Sequence, residues 1–508
     1  MEMGSLLPHA ASLFAVSMAS LMIAAVLSIV RRPWPWKTAA ISREAVLRLL
    51  GVRLGDVPTT VVRDGAVAVD ALVRRADAFS DRPAGGGATS IVSGGRAHNI
   101  NTVPHGPLWV ALRRNLTSEA FHPDVSASAA RSAGGGAGVV VPVHDCLYAA
   151  LFALNVATCF GDGVDGELVG AMRAAQQEFL RFLPRARVFS TFQKAARLVY
   201  PDRWKQLLRH RRRQEEMYLP LIRAINEQRR TRGTPSPPPP TTYVDTLLYL
   251  EVPADDGRRR RKLSDGEMVG LVSEYLGAAT GTVVAQLEWA LANLVRRPDI
   301  QTRLCGEVEA AAGGEPCAYL RAVVMECLRR HPPVSSVQRH MVRDVMLGGA
   351  HVARGNVVSF AIEEIGRRQH ENILKARLKY RYVFLKTNLK TDSYTDDIWT
   401  SSEEFSPERF MEGGEGEGVR LAIGSKQEAT TKMKMMPFGA GRRTCPGMGY
   451  AILHLEYFLA NLVTAFEWRR VPWEEEVDLT ADYGFITTMQ HPLRALVVPL
   501  SNDRLTVV

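Results

Sequence analysis

The 508 residues are 46% hydrophobic, enough for a large core, and carry a formal charge of +10. Residues 367–393 account for +6 of that, with eight Lys/Arg against Glu371 and Asp392, so the basic balance is local and gives no nucleic-acid signal. The six cysteines show no C-x-x-C spacing, which argues against a disulfide framework and a zinc site and suits a reducing compartment.

Along the chain, residues 11–30 carry no charge and are long enough to cross a bilayer as a helix. Arg31-Arg32-Pro33-Trp34-Pro35-Trp36-Lys37 follows. Basic residues on the cytosolic side and tryptophans at the interface predict an anchor over 1–37 with the bulk of the chain, 38–508, facing the cytosol. Glu2 in place of a basic leader and the length of the apolar run argue against a cleaved signal peptide. Pro58–Val62 and Ala66–Val69 read as short strands around a turn at Asp64-Gly65, with a helix at about Asp70–Ala76. Residues 84–108 read as a long loop, and Gly134–Gly136 lacks the Gly-Lys-Ser/Thr of a phosphate loop. Arg-rich helices fill about 165–230, a proline-rich linker occupies 233–240, and Arg258–Lys262 reads as a solvated basic loop. A long apolar helix covers 266–296.

Three motifs carry chemistry. Phe438-Gly-Ala-Gly441-Arg-Arg443-Thr-Cys445-Pro-Gly447 fills every fixed position of F-x-x-G-x-R-x-C-x-G. Glycines turn the loop, Arg443 supplies a cation, and one cysteine is presented whose thiolate can ligate haem iron. Glu326-Cys-Leu-Arg329 sets a charged pair one turn apart on an apolar helix ended by Pro332-Pro333, and Arg409 in Pro407-Glu-Arg-Phe410 is a candidate third partner. Trp109 and Arg113 share a helix face at i, i+4. Their order along the chain, W-x-x-x-R, E-x-x-R, P-E-R-F, then the cysteine loop, resembles that of the cytochrome P-450 family of haem-thiolate monooxygenases. Ser80-Asp-Arg-Pro83 and His331-Pro-Pro333 look like the plant microsomal A-type branch.

The resemblance implies a mainly α fold with small β-sheets, a single large haem domain behind an N-terminal transmembrane helix. It implies haem b with Cys445 as axial ligand, Phe438 shielding the sulfur, and Gly441 and Gly447 shaping the turn. Trp109, Arg113, Arg443 and His340 would hold the propionates, Glu326, Arg329 and Arg409 would brace the core, and Thr282 would position water beside dioxygen. Electrons would come from NADPH through a reductase that meets Arg114, Lys432, Lys434 and Arg442. The protein would sit as a single-pass protein in the endoplasmic reticulum membrane and oxidise an apolar small molecule. Substrate contacts would come from the 90–104 loop, Tyr275–Ala279, Val334–Val337 and Phe485–Met489.

The chain departs from the family pattern at Ala278-Ala279-Thr280-Gly281-Thr282-Val283. Gly281 stands where an acid usually precedes the threonine, which predicts poorly coupled turnover with electrons lost to hydrogen peroxide. Residues 367–393 read as a basic insertion between Ile362-Glu-Glu-Ile-Gly366 and Asp397-Ile-Trp399, in the manner of translated intron. The link from Glu309 to Leu320 and the hinge after the anchor are short. Two alternatives follow from these departures: a catalytically impaired haem-binding protein, and a haem-thiolate isomerase or lyase that needs no O₂.

Overall fold

The computed structural model describes residues 49–54, 57–83, 99–120, 139–186, 188–191, 196–231, 241–254, 258–311, 317–367, 399–422 and 433–500. The expected anchor, the 233–240 linker, Gly134–Gly136, Lys432 and nearly all of the 367–393 insertion lie outside the described residues.

The helical body contains α1 (Pro107–Asn115), α2 (Val143–Phe160), α3 (Gly166–Ala186), α4 (Pro201–Thr231), α5 (Asp265–Arg296), α6 (Pro298–Ala310), α7 (Ala318–Arg330) and α8 (Met448–Ala465). Among the described residues, thirteen short strands run from β1 (Leu49–Leu54) and β2 (Val57–Val62) to β13 (Arg494–Pro499). A four-stranded sheet runs β1-β2-β9-β6, where β6 is Ser336–His340 and β9 is Val357–Ala361. Only β2 and β9 pair in parallel in it.

α5 crosses the centre. A reciprocal capping box at Ser264 and Glu267 starts it and fixes the register of everything after. It is apolar almost all round and is buried along most of its length, as a helix in the middle of a large core must be. Its contacts include Trp289, stacked on His331 with ring centroids 4.1 Å apart.

A second apolar cluster lies beneath the four-stranded sheet and includes Val62, Phe79, Phe360, Met436 and Ala440. Met435 and Phe438, from the same stretch as Met436, pack instead on the larger apolar core around α5. The segment leading to Cys445 therefore runs along the seam between the two cores.

Two expectations are corrected. Ala66–Val69 is not a strand: Gly65–Val69 is helical and continues as a π-helical turn over Asp70–Arg74. The Asp64 side chain accepts the Val67 N–H at 3.0 Å, and this cap overrides the strand preference of alternating valines. The partner of β2 is instead β1, in an antiparallel ladder from Leu49↔Val62 to Leu54↔Val57. Arg258–Lys262 is not merely a loop, since Arg260–Lys262 forms β5 and pairs with β4 (Glu251–Pro253). Arg261 grips Glu267 with two nitrogens at 2.8 and 2.7 Å, which draws the strand against the start of α5.

Candidate haem site

The cysteine loop is shaped by close backbone approach. Gly439 and Gly441 have φ of 73° and 70°. A Cβ on Gly441 would stand 1.9 Å from the Leu72 carbonyl oxygen, so position 441 admits glycine alone. The same short helical segment meets the loop's approach at Gly65, where a Cβ would lie 2.5 Å from the Met433 carbonyl oxygen. The Cys445 N–H donates to the Phe438 carbonyl at 2.9 Å and closes the loop, and α8 leaves directly after Gly447. Burial pushes the Cys445 thiol up, while the Gly447 N–H and the charge of Arg113 pull it back toward the thiolate.

The Arg443 side chain enters a cluster of cations. Its guanidinium donates to the Ser80, Ile100 and Val103 carbonyls at 2.8, 2.9 and 2.5 Å. It also lies 4.7 Å over the Trp109 ring, while Arg113 lies 5.2 Å from the same ring. Arg82 and Arg339 complete the cluster. Burial lowers the affinity of all four guanidiniums for their proton, to about 10 for Arg82 and Arg443, and mutual repulsion among them adds to the effect at Arg339 and Arg443. Asp81 and Glu274 are the carboxylates that oppose this at Arg443.

Four cations against two carboxylates, of which Glu274 is itself pushed up to about 7, leave an excess of at least two positive charges in a desolvated place, which is costly without a counter-anion. Three buried donors there also lack a partner: Trp109 Nε1, Arg82 Nε and Arg339 Nη2. A ligand carrying two carboxylates would neutralise the excess and take up these donors. The residues present therefore fit a haem, whose two propionates supply that charge, beside a loop that offers a thiolate.

The sequence-derived residues fall as follows. Cys445, Phe438, Gly441, Arg443 and Gly447 form one loop, and Trp109 and Arg113 stand beside Arg443. His340 lies next to Arg339 on β6, and its main-chain N–H donates to Asp81 O at 2.9 Å. Glu326 and Arg329 form a bidentate pair at 2.6 and 2.8 Å with both side chains 0% exposed. Arg409 reaches Glu326 at 3.4 Å and also holds Glu415 and the Ser401 carbonyl. Thr282 lies on α5 and donates to the Ala278 carbonyl at 2.7 Å.

Of the substrate-facing candidates, Tyr275 is buried against Tyr243 and Tyr450, Val334 and Val337 pack under the sheet, and Phe485 is exposed. On the expected reductase face, Arg114 and Arg442 are exposed, but Lys434 is bound to the Glu415 carbonyl and sits 5.0 Å over Trp399. Sequence reasoning missed Arg82, Arg339 and Glu274. The signals were a quoted phrase, Ser80-Asp-Arg-Pro83, and the neighbour of His340.

The family model "Cytochrome P-450" matches residues 43–371 and 386–494. The chain belongs to the cytochrome P-450 family. The chain is 33% identical to Cytochrome P-450 89A9 of Arabidopsis thaliana, covering 89% of this chain and 86% of that one. It is 27% identical to Cytochrome P-450 78A11 of Oryza sativa subsp. japonica, covering 91% and 81%. Among solved structures, a zebra fish cytochrome P-450 with progesterone aligns at TM-score 0.65 and 19% identity over 89% of this chain and 96% of that one. A cyanobacterial relative with retinoic acid bound aligns at TM-score 0.65 and 19% identity, over 91% and 95%. The mostly helical body with small sheets is thus the cytochrome P-450 fold, and the relatives put the chain in the plant A-type branch. As a cytochrome P-450 it is a haem-thiolate monooxygenase that takes a small-molecule substrate and receives electrons from a redox partner.

Proposed function

We propose that this chain is a membrane-anchored monooxygenase of the endoplasmic reticulum, facing the cytosol, which receives electrons from NADPH through a reductase and oxidises an apolar small molecule. When bound, the haem supplies reductive activation of O₂ and insertion of one oxygen atom. Cys445 ligates its iron. Arg113 and the Gly447 N–H favour the sulfur's charged form. Arg443, Arg113 and Trp109 would hold the propionates with His340 beside them, and Arg82 and Arg339 would add their charge to the same group. Thr282 would hold water beside bound dioxygen through a hydroxyl whose proton is already donated to the Ala278 carbonyl. The Glu326–Arg329–Arg409 group fixes the segment before the cysteine loop. The observation that carries this reading is the arginine cluster with its orphaned Trp109 Nε1 beside the cysteine loop.

The anchor is supported by the uncharged run at 11–30 and its Arg/Trp flank. The interruption of the family match at 372–385 supports reading 367–393 as an insertion. The reductase is tested by reducing the purified protein under carbon monoxide. NADPH with a plant microsomal reductase produces the thiolate-type CO band and NADPH alone does not. A band that forms only with dithionite overturns the reductase assignment.

A specific observation favours keeping the O₂-independent alternative in view. The place of the usual acid is filled by apolar atoms, with Ile486 Cδ1 and Leu180 Cδ1 lying 2.5 and 3.9 Å from where a Cβ on Gly281 would be. Turnover that proceeds without NADPH identifies that alternative.

A further inference from the structure

Glu274 on α5, besides opposing the charge of Arg443, holds a turn of the main chain. Glu274 lies two turns before Thr282, and residues 274, 278 and 282 share a helix face. Its Oε2 accepts the Ile100 N–H at 2.8 Å and its Oε1 accepts the Asn101 N–H at 2.8 Å. The same turn is gripped from the other side by Arg443, which donates to the Ile100 and Val103 carbonyls. Both main-chain polar groups of Ile100 are thus taken by ionic side chains, one from α5 and one from the cysteine loop. The Ile100 side chain is itself in the core.

We propose that Glu274 is a positioning residue that clamps the 99–103 turn onto α5 and thereby sets how open the approach to the reaction site is. The proposal rests on the monooxygenase reading only in taking this turn as substrate-facing.

Two successive N–H groups need two full acceptors, and only the ionised carboxylate offers both without reserve. Burial pushes the Glu274 carboxyl up to about 7, against the two amides, Arg82 and Arg443, which pull it down. Tyr243 faces it from the short helix Tyr243–Tyr249 and stays neutral, because burial and the Glu274 charge push its hydroxyl well up. The clamp is therefore bidentate above neutrality and weakened below it.

Amide hydrogen exchange on the full-length haem-loaded protein tests this, comparing the peptide over residues 99–103 in wild type, Glu274→Gln and Glu274→Asp. Glutamine keeps one acceptor and turns an amide donor toward the other N–H, so exchange in the turn rises by about tenfold at about pH 8, while the 285–295 stretch of α5 is unchanged. In wild type, protection of the turn, corrected for intrinsic rates, falls between about pH 8 and about pH 6, and Glu274→Gln removes that trend. Carbon monoxide, used as a small probe of access, rebinds faster in Glu274→Gln after photolysis. Equal protection of the turn in wild type and Glu274→Gln, or a pH trend that survives the substitution, overturns the clamp. If neither variant folds, a flat wild-type pH profile does so alone. Exchange in the turn is read without turnover, so failure of the clamp is separate from failure of the monooxygenase reading, which shows as absence of the CO band.

Discussion

Gly281 is the residue at which the chemistry of this chain is most exposed to test. From sequence, a missing acid invites the substitution Gly281→Asp. The structure adds that the space above Gly281 is apolar and occupied by Ile486. A carboxylate placed there alone is desolvated and driven toward its neutral form, or pushes Ile486 aside. The single variant is expected to leave the ratio of hydrogen peroxide released to NADPH consumed unchanged, while Gly281→Asp with Ile486→Ala lowers it several-fold. Equal ratios in the two variants would show that Ile486 is irrelevant to proton supply. At Arg339 the expectation has two signs. The side chain is 1% exposed and carries an orphaned nitrogen among other cations. Arg339→Met should raise the melting temperature of the haem-free protein by relieving that repulsion and should speed haem release to an acceptor protein by about tenfold or more. Slower or unchanged release would remove Arg339 from the propionate site.

At the scale of elements, α7 is tied to the segment before the cysteine loop by charges of which Glu326 and Arg329 are fully buried. Glu326 receives Arg329, Arg409 and the Ser406 N–H. Arg329 also donates to the Ser402 carbonyl at 2.7 Å. Removing one member strands the rest, so Arg329→Met is expected to cost about 3–5 kcal/mol in denaturant unfolding, or to abolish soluble protein. A loss under about 1 kcal/mol would mean that the network is not structural. A second tie joins α2, α5 and the residue that leads into β13. His144 Nδ1 lies 2.7 Å from Glu288, whose other oxygen accepts the Leu493 N–H at 2.9 Å. Burial works to lower the His144 pKa, but the hydrogen bond and charge of Glu288 raise it above the ordinary 6.5. The pair's contribution is complete below that ordinary value and is lost as pH rises through the raised one. Unfolding midpoints in urea should fall across that interval in wild type and flatten in His144→Ala, and parallel curves would contradict the assignment.

For the whole molecule, legibility in the sequence followed the range of the constraint. The cysteine loop was legible because its requirements are local in sequence: glycine where φ is 70°, a cation two residues before the sulfur, and a helix after Gly447. α5 was legible because its apolar run is long and unbroken, and the capping box at Ser264 and Glu267 sets its start at Asp265, one residue from the expected 266. The E-x-x-R pair was legible as a pair, but its depth was not, since burial of Glu326 depends on Ser402 and Arg409 from a distant segment. Ala66–Val69 misled because its valines fit a strand while the cap at Asp64 and packing at Gly65 decide otherwise. Arg82, Arg339 and Glu274 were missed for one reason. Each is ordinary in its own stretch, and only folding brings Arg82, Arg113, Arg339 and Arg443 close enough to repel one another.

That convergence beside a single cysteine is the centre of the account, and a reduced-carbon-monoxide difference spectrum of the haem-reconstituted protein tests it most directly. Wild type is expected to give the band of a thiolate-ligated haem, and Cys445→Ser is expected to lose it while remaining folded by circular dichroism. The same band in both proteins would contradict the assignment of residue 445 as the iron ligand.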